Sequence, residues 1–115
     1  MRLSSSSQAL HVWRKTMLAQ VLDDDPDLTT RQIAILLTVY LEPPPHTVRG
    51  LAELLNVTKP VITRALDTMG GIGLVKRRRD ERDRRSVLIQ RTVEGSLYLE
   101  RLGDLIVNVA EAEER

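Results

Sequence analysis

A mainly α-helical chain with one small antiparallel β-hairpin is predicted by three features of the sequence. Apolar residues recur at three-and-four spacing over most of its length, serine and threonine caps open the periodic stretches, and after Gly73 the pattern shortens to alternation. The chain has 115 residues, 42% apolar and 29% charged, which is room for a single small domain. A domain of this size buries only about two-thirds of the surface its unfolded chain exposes, so a second copy is a useful source of further burial.

The first helix follows the polar lead-in Ser4 to Ser7, which offers N-caps, and carries Leu10, Trp13, Met17, Leu18 and Val21 on one face. Asp23-Asp24-Asp25-Pro26-Asp27 ends it, because proline disfavours helical geometry at the residue before it and carboxylates oppose the helix dipole at a C-terminus. That run reads as a solvated linker, since a calcium loop needs its ligands at a defined spacing. Thr29 and Gln32 form a capping box for a second helix with Ile33, Leu36, Leu37 and Tyr40 inward, and Pro43, Pro44 and Pro45 stop it. Thr47 caps a short third helix with Leu51, Leu54 and Leu55 inward. Asn56 and Val57 then turn the chain into a fourth helix capped by Thr58, where Pro60 is tolerated because first-turn amides have no intrahelical acceptor to lose. Gly70 and Gly71 are expected to supply its left-handed cap.

Leu74 to Arg78 and Ser86 to Gln90, with Val75, Val87 and Ile89 at alternating positions, flank the polar loop Arg79 to Arg85 and form a two-stranded hairpin. Thr92 caps the last helix, striped by Tyr98, Leu102, Leu105, Ile106 and Val109. Gly103 inside it costs about 1 kcal/mol relative to alanine, which implies a closely packed neighbour or a bend. Glu111 to Arg115 are polar and expected to fray.

Composition excludes several chemistries. Without cysteine there is no disulfide, thiol redox sensing or cysteine-ligated metal, and His11 and His46 stand far apart, so no metal is expected. No nucleophile with a base, no paired carboxylates and no glycine loop point to an enzyme or a cofactor. No apolar run approaches the roughly 20 residues that span a bilayer, and the N-terminus lacks the apolar stretch of a secretory signal. A cytoplasmic protein with no membrane partner is expected. Charge speaks only by position: the net is −1 over residues 1–55, +6 over 56–91 and −4 over 92–115. A nearly neutral chain with +6 in one window presents a local positive field, suited to a polyanion, whereas a merely solvated surface mixes its signs.

A capped helix, a short turn, a second capped helix and a basic hairpin are the order of a winged helix-turn-helix. It is expected over residues 28–91, flanked by residues 1–27 and 92–115. An α-helix fits the major groove of B-DNA, and an arginine-tipped hairpin can follow the backbone into the neighbouring minor groove. On the fourth helix Ile62, Ala65, Leu66 and Met69 fall within about 100° and form the buried stripe. The opposite face presents Pro60, Thr63, Arg64, Asp67 and Thr68, with Lys59 at its edge. Arg64 is expected to make a bidentate guanine contact, Thr63 to touch a thymine methyl or a phosphate, and Thr58 and Lys59 to meet phosphates. The competing reading pairs Arg64 with Asp67 at i+3. Lys76, Arg77, Arg78, Arg79, Arg82, Arg84 and Arg85 fall within ten residues. Arginine's planar fork suits phosphate and groove contacts, and Asp83 is expected to orient one of these arginines.

The stretch Leu51-Ala-Glu-Leu-Leu-Asn-Val-Thr-Lys-Pro-Val-Ile-Thr-Arg-Ala-Leu-Asp, then Gly73-Leu-Val-Lys-Arg and Asp80-Glu-Arg-Asp-Arg-Arg-Ser-Val-Leu-Ile with Thr92 and Gly95, resembles bacterial regulators of the multiple antibiotic resistance regulator (MarR) family. The likeness runs over roughly residues 28–102. It implies a homodimeric transcription factor, usually a repressor, that binds a palindromic operator and is released by small aromatic or phenolic effectors; release by oxidation would need cysteines. It also implies that the arginine two places after the wing aspartate, Arg85 after Asp83, enters the minor groove, with Arg84 beside it. Pro60 stands where a small polar residue is commoner, removing one base or phosphate contact. Arg91 stands where the family is apolar, either loosening the root of the wing or adding a phosphate contact. Family members carry a further helix after the one opening at Thr92. The dimer platform is therefore expected on the first and last helices, with Leu10, Trp13, Leu102 and Ile106 as contacts or, equally, as intramolecular core. His11, Trp13, Arg14 and Tyr40 lie on segments that line the family's effector cleft and are read as structural. The alternative to a regulator of double-stranded DNA is a winged-helix protein-interaction module, which an apolar face on the fourth helix would favour.

Overall fold

Side-chain caps set where the helices begin in the computed structural model, which describes residue 3 and residues 5–114. The Ser5 hydroxyl accepts from the Gln8 amide at 3.1 Å and opens α1 (Ser6–Leu22). Ser4, the other cap considered, and Arg115 lie outside the described residues. Thr29 and Gln32 exchange both bonds of the capping box, at 3.1 and 2.9 Å, before α2 (Thr30–Leu41). The Thr47 hydroxyl accepts from the Gly50 amide at 2.9 Å at the start of α3 (Val48–Leu55). Thr29→Ala leaves the Gln32 amide without its acceptor, and a stability loss of about 1 kcal/mol, near 4 °C in Tm, is expected in thermal unfolding.

Asn56, left-handed at φ 54°, caps the end of α3 and turns the chain into α4 (Lys59–Gly71). Thr58 makes no side-chain capping bond; its carbonyl instead accepts from the Val61 amide at 3.1 Å. The helix runs through Gly70 and Gly71, and the left-handed residue is Gly73 at φ 81°. Bonds from the Gly73 amide to the Gly70 carbonyl (3.1 Å) and from Leu74 to Met69 (2.9 Å) close this end, so the reversal comes two residues later than the sequence suggests.

The sheet has three strands rather than two. β1 (His46–Thr47) pairs with one edge of β3 (Val87–Arg91) through His46↔Ile89 and Thr47↔Leu88, and β2 (Val75–Arg79) pairs with the other edge from Val75↔Arg91 to Arg79↔Val87. Both hairpin strands sit one residue later than expected. A two-residue strand after three prolines is too short to show a period.

The chain divides into two compact units, residues 28–98 and the two ends, 1–27 with 99–115. In the first, α4 buries Ile62, Ala65, Leu66 and Met69, the stripe its periodicity defines. α2 buries Ile35, Leu36 and Val39, leaving Ile33, Leu37 and Tyr40 half-buried. On α3, Leu51 and Ala52 are buried while Leu54, expected inward, is exposed. The Tyr40 hydroxyl donates to the Leu74 carbonyl at 2.7 Å and accepts from the Thr92 amide at 2.8 Å. Thr92 in turn donates its hydroxyl to the Gly73 carbonyl at 2.6 Å and accepts from the Gly95 amide at 2.9 Å, opening α5 (Val93–Glu114). Arg91 completes this knot: Nε donates to the Val39 carbonyl at 2.9 Å and Nη2 to the Glu42 carbonyl at 3.1 Å, with the guanidinium carbon 5.9 Å from the centre of the Tyr40 ring. The loosening considered for Arg91 is not seen, because its side chain braces the root of the hairpin on orphan carbonyls at the end of α2.

In the second unit α5 carries buried Leu102 and Ala110 and half-buried Leu105, Ile106 and Val109, and it continues to Glu114 instead of fraying at Glu111. Among the described residues nothing beyond its own helix backbone and chain neighbours lies within 4 Å of a β-carbon built at Gly103, so of the two readings, a close neighbour or a bend, the close neighbour is absent. α1 buries Val12 and Thr16, and leaves Leu10 68% and Trp13 52% exposed. The expected face is not the one this chain buries, because Ala9, Val12, Thr16 and Ala19 repeat at the same spacing with smaller side chains. Asp25 of the acidic run pairs with Arg101 at 3.2 Å. Lys15 pairs with Glu113, and its hydrogen bond holds that carboxyl below the ordinary carboxylate range. A depressed carboxyl stabilises above that range and loses its contribution as pH falls through it. Among the described residues no helix is long and apolar enough to cross a membrane, and no group of three or more His, Cys, Asp or Glu could hold a metal ion.

Candidate nucleic-acid interface

Seating the apolar stripe of α4 on the core turns its other side outward. Lys59, Pro60, Arg64, Asp67 and Thr68 are exposed, with Thr58 at the cap, and Thr63 is half-buried. A groove of about 490 Å³ opens between this helix and the hairpin. It is lined by Lys59 and Thr63 of α4, by Asp83, Arg85, Ser86 and Val87 of the hairpin, and by Thr47, Val48 and Arg49 at the start of α3. The fold thus brings four of the expected residues, Lys59, Thr63, Asp83 and Arg85, to one opening. Arg49 joins them without having been singled out; its place in the first turn of α3, beside the Thr47 cap, is the signal that would have found it.

Arg64 lies on the other flank of α4, in a hollow of about 370 Å³ shared with Thr29, Arg31 and Gln32 at the start of α2 and with Thr68. Its Nε makes a 3.4 Å bond to the Pro60 carbonyl of its own helix. The pairing with Asp67 that local spacing allows does not form, because Asp67 pairs with Arg77 of β2 at 2.7 Å.

The hairpin loop is organised by its own carboxylates. Asp83 accepts from the Arg85 amide at 3.1 Å and from the Ser86 hydroxyl at 3.2 Å, and its Oδ1 lies 3.8 Å from the Arg85 Nε. The Arg85 side chain is 96% exposed. Asp80 accepts from the Arg82 amide at 2.9 Å, and its own amide donates to the Ser86 carbonyl at 3.0 Å. Arg79 donates to the Arg84 carbonyl across the loop, so part of its guanidinium is engaged there. Arg82 and Arg84 are exposed at the tip. An exposed ion pair such as Arg78–Glu81, at 3.4 Å, contributes about 0–1 kcal/mol and leaves the cations available to a polyanion.

Leu10, Trp13, Leu102 and Ile106 belong to the other unit. Leu10 and Trp13 line an open, largely apolar hollow with Ser6, Ser7, His11 and Arg14, while Leu102 is buried and Ile106 half-buried.

The family model described as "MarR family" matches residues 28–87. Among solved structures, the chain is similar to the crystal structure of MarR at 28% identity and a TM-score of 0.60, covering 94% of this chain and 70% of that one. It is similar to the transcriptional regulator BldR from Sulfolobus solfataricus at 26% identity and a TM-score of 0.64, covering 92% and 73%. A third likeness is to the transcriptional repressor CouR bound to a 23-mer DNA duplex, at 26% identity and a TM-score of 0.71, covering 92% and 72%. A search of the curated proteins finds no match.

Proposed function

This chain belongs to the MarR family of transcriptional regulators, which are not enzymes, and from that premise we propose that it binds double-stranded DNA sequence-specifically through α4 and the hairpin. The observation that carries the reading is the cationic groove in which Lys59 and Thr63 of α4 face Arg85 of the hairpin, with Arg64 on the opposite flank. Arg64 reads a base in the major groove, Thr63 and the first-turn residues Thr58, Lys59 and Pro60 meet the backbone or a thymine methyl, and Arg85 enters the minor groove, oriented by Asp83. Arg79, Arg82 and Arg84 supply phosphate contacts along the hairpin.

The protein acts in the cytoplasm as a homodimeric repressor on a palindromic operator, and a small aromatic effector releases it. Exposed Leu10 and Trp13 support the dimer, with Ile106 at its edge; Leu102 is largely buried within its own chain. Residues 1–27 and 92–115 form the dimerisation parts around a DNA-binding domain at 28–91. The rival reading, a protein-interaction module, is disfavoured by the polar and cationic outer face of α4.

Fluorescence anisotropy with duplex DNA at 50 and 200 mM salt tests the proposal. Four cations on phosphates in each protomer, eight in the dimer, give a log–log slope of about −7 and a loss of affinity on the order of 10,000-fold. A flat salt response refutes it. Selection of bound duplexes from a random pool is expected to return a two-fold symmetric site, and an asymmetric one removes the dimer from the reading.

A further inference from the structure

We propose that Asp67 and Arg77 are positioning residues: their ion pair fixes the angle of the hairpin against α4 and thereby the spacing between the two elements that grip DNA. The inference rests on the DNA-binding reading above and deepens it.

Asp67 is a carboxylate on the outer face of α4, between Arg64 and Thr68, where electrostatics alone would disfavour it against a polyanion. Arg77 is equally out of pattern. It stands opposite Ile89 in the ladder, and residues directly opposite share a face of the sheet. Ile89 is buried, as is Val75 two positions before Arg77 on the same strand. Arg77 therefore occupies an inward position that alternation reserves for an apolar side chain, while Lys76 and Arg78 lie on the other face. Its side chain is 37% exposed, so a guanidinium is drawn part-way out of water and needs a partner.

Asp67 provides that partner at 2.7 Å, the short end of charge-assisted hydrogen bonds. Among the described residues of 28–98, this is the one ion pair that joins two elements. Arg49–Glu53 lies within α3, and Arg78–Glu81 and Arg85–Asp83 lie within the hairpin. The root of the hairpin is held at Leu74 and Thr92 by Tyr40. Arg91 and the short ladder with β1 hold the β3 side as well, and the Asp67–Arg77 pair is the ion pair that ties β2 to α4 and so bears on the angle between them.

The two accounts of Asp67 predict effects of opposite sign. As a plain surface charge, its removal raises the affinity for every duplex alike. As a positioning residue, its removal weakens binding where both elements must fit at once and spares binding that needs only positive charge. Anisotropy titrations of the full chain use a duplex that the wild-type protein recovers from a random pool, and a scrambled duplex of equal composition. Asp67→Asn is expected to lower the ratio of the two affinities about fivefold, the equivalent of one well-formed pair, with scrambled binding unchanged or tighter. The exchanged pair D67R/R77D is expected to recover the ratio.

A second measurement needs no DNA. Because the chain has no cysteine, spin labels at Thr68→Cys and Glu81→Cys report the distance from helix to hairpin. Its distribution is expected to broaden with Asp67→Asn and to narrow again in the exchanged pair. A rise in both affinities by one factor, an unchanged ratio, or an unchanged distribution overturns the inference while leaving DNA binding intact. A wild-type protein that recovers no preferred duplex overturns the DNA-binding reading, and the inference with it.

Discussion

Gly95→Ala destabilises the protein by about 3 kcal/mol, lowering Tm by about 12 °C. A β-carbon at this position would stand 1.8 Å from the Tyr40 hydroxyl oxygen, 2.3 Å from the Leu74 carbonyl oxygen and 2.6 Å from Tyr40 Cζ. None of these is the loose end of a flexible side chain. The hydroxyl is fixed by its bonds to Leu74 and Thr92, and the ring lies beneath the Arg91 guanidinium. Relief requires the ring to leave, which unmakes the joint between α2, the start of β2 and the start of α5. Overpacking alone costs about 1–3 kcal/mol, and each lost hydrogen bond adds about 1 kcal/mol. Urea unfolding measures the change as a shift in midpoint at constant m. Gly103→Ala is the control of opposite sign: its β-carbon meets open space in a helix interior, so stability rises by up to about 1 kcal/mol. Wild-type stability in Gly95→Ala would remove Tyr40 as the anchor of the hairpin root.

What was legible in the sequence was local. The caps at Thr29, Thr47 and Thr92, the buried stripe of α4 and the alternation of the hairpin all depend on residues within a few positions of one another. Choices between two equally periodic faces were not legible. On α1 Leu10 and Trp13 carry more apolar surface than Ala9, Val12 and Thr16, yet the smaller set is buried or half-buried. Partners distant in sequence were also hidden. Spacing offers Arg64 to Asp67, and Arg77 takes it, because an inward strand position leaves that guanidinium the more in need of a carboxylate. Arg91 looked like an intrusion at an apolar position until the carbonyls of Val39 and Glu42, 52 and 49 residues away, came within reach. At the candidate site, the outward face of α4 was readable from its period, but the approach of Arg49 to Lys59 and Arg85 depends on how α3 meets the hairpin.

Arg64→Ala and Arg82→Ala are expected to separate base reading from backbone attraction. Arg64 is exposed on α4 and is held only by a 3.4 Å bond to its own helix, so its truncation leaves the fold unchanged. Against a duplex recovered by selection it should weaken binding by about 1–3 kcal/mol, roughly 5- to 150-fold, and relax preference at one position while the salt slope stays as it was. Arg82, exposed at the hairpin tip, should instead weaken selected and scrambled duplexes alike and reduce the salt slope by about one for each protomer bound. Arg79 is the poorer probe of the same effect, because its bond to the Arg84 carbonyl closes the loop and its loss loosens the tip as well. The comparison is decisive for Arg64 in particular, since the hollow it lines also holds Arg31 and the first turn of α2. A loss shared equally between the two duplexes, with a shallower salt slope, would make that hollow a phosphate clamp and move sequence reading to Thr63 and the groove beside Arg85.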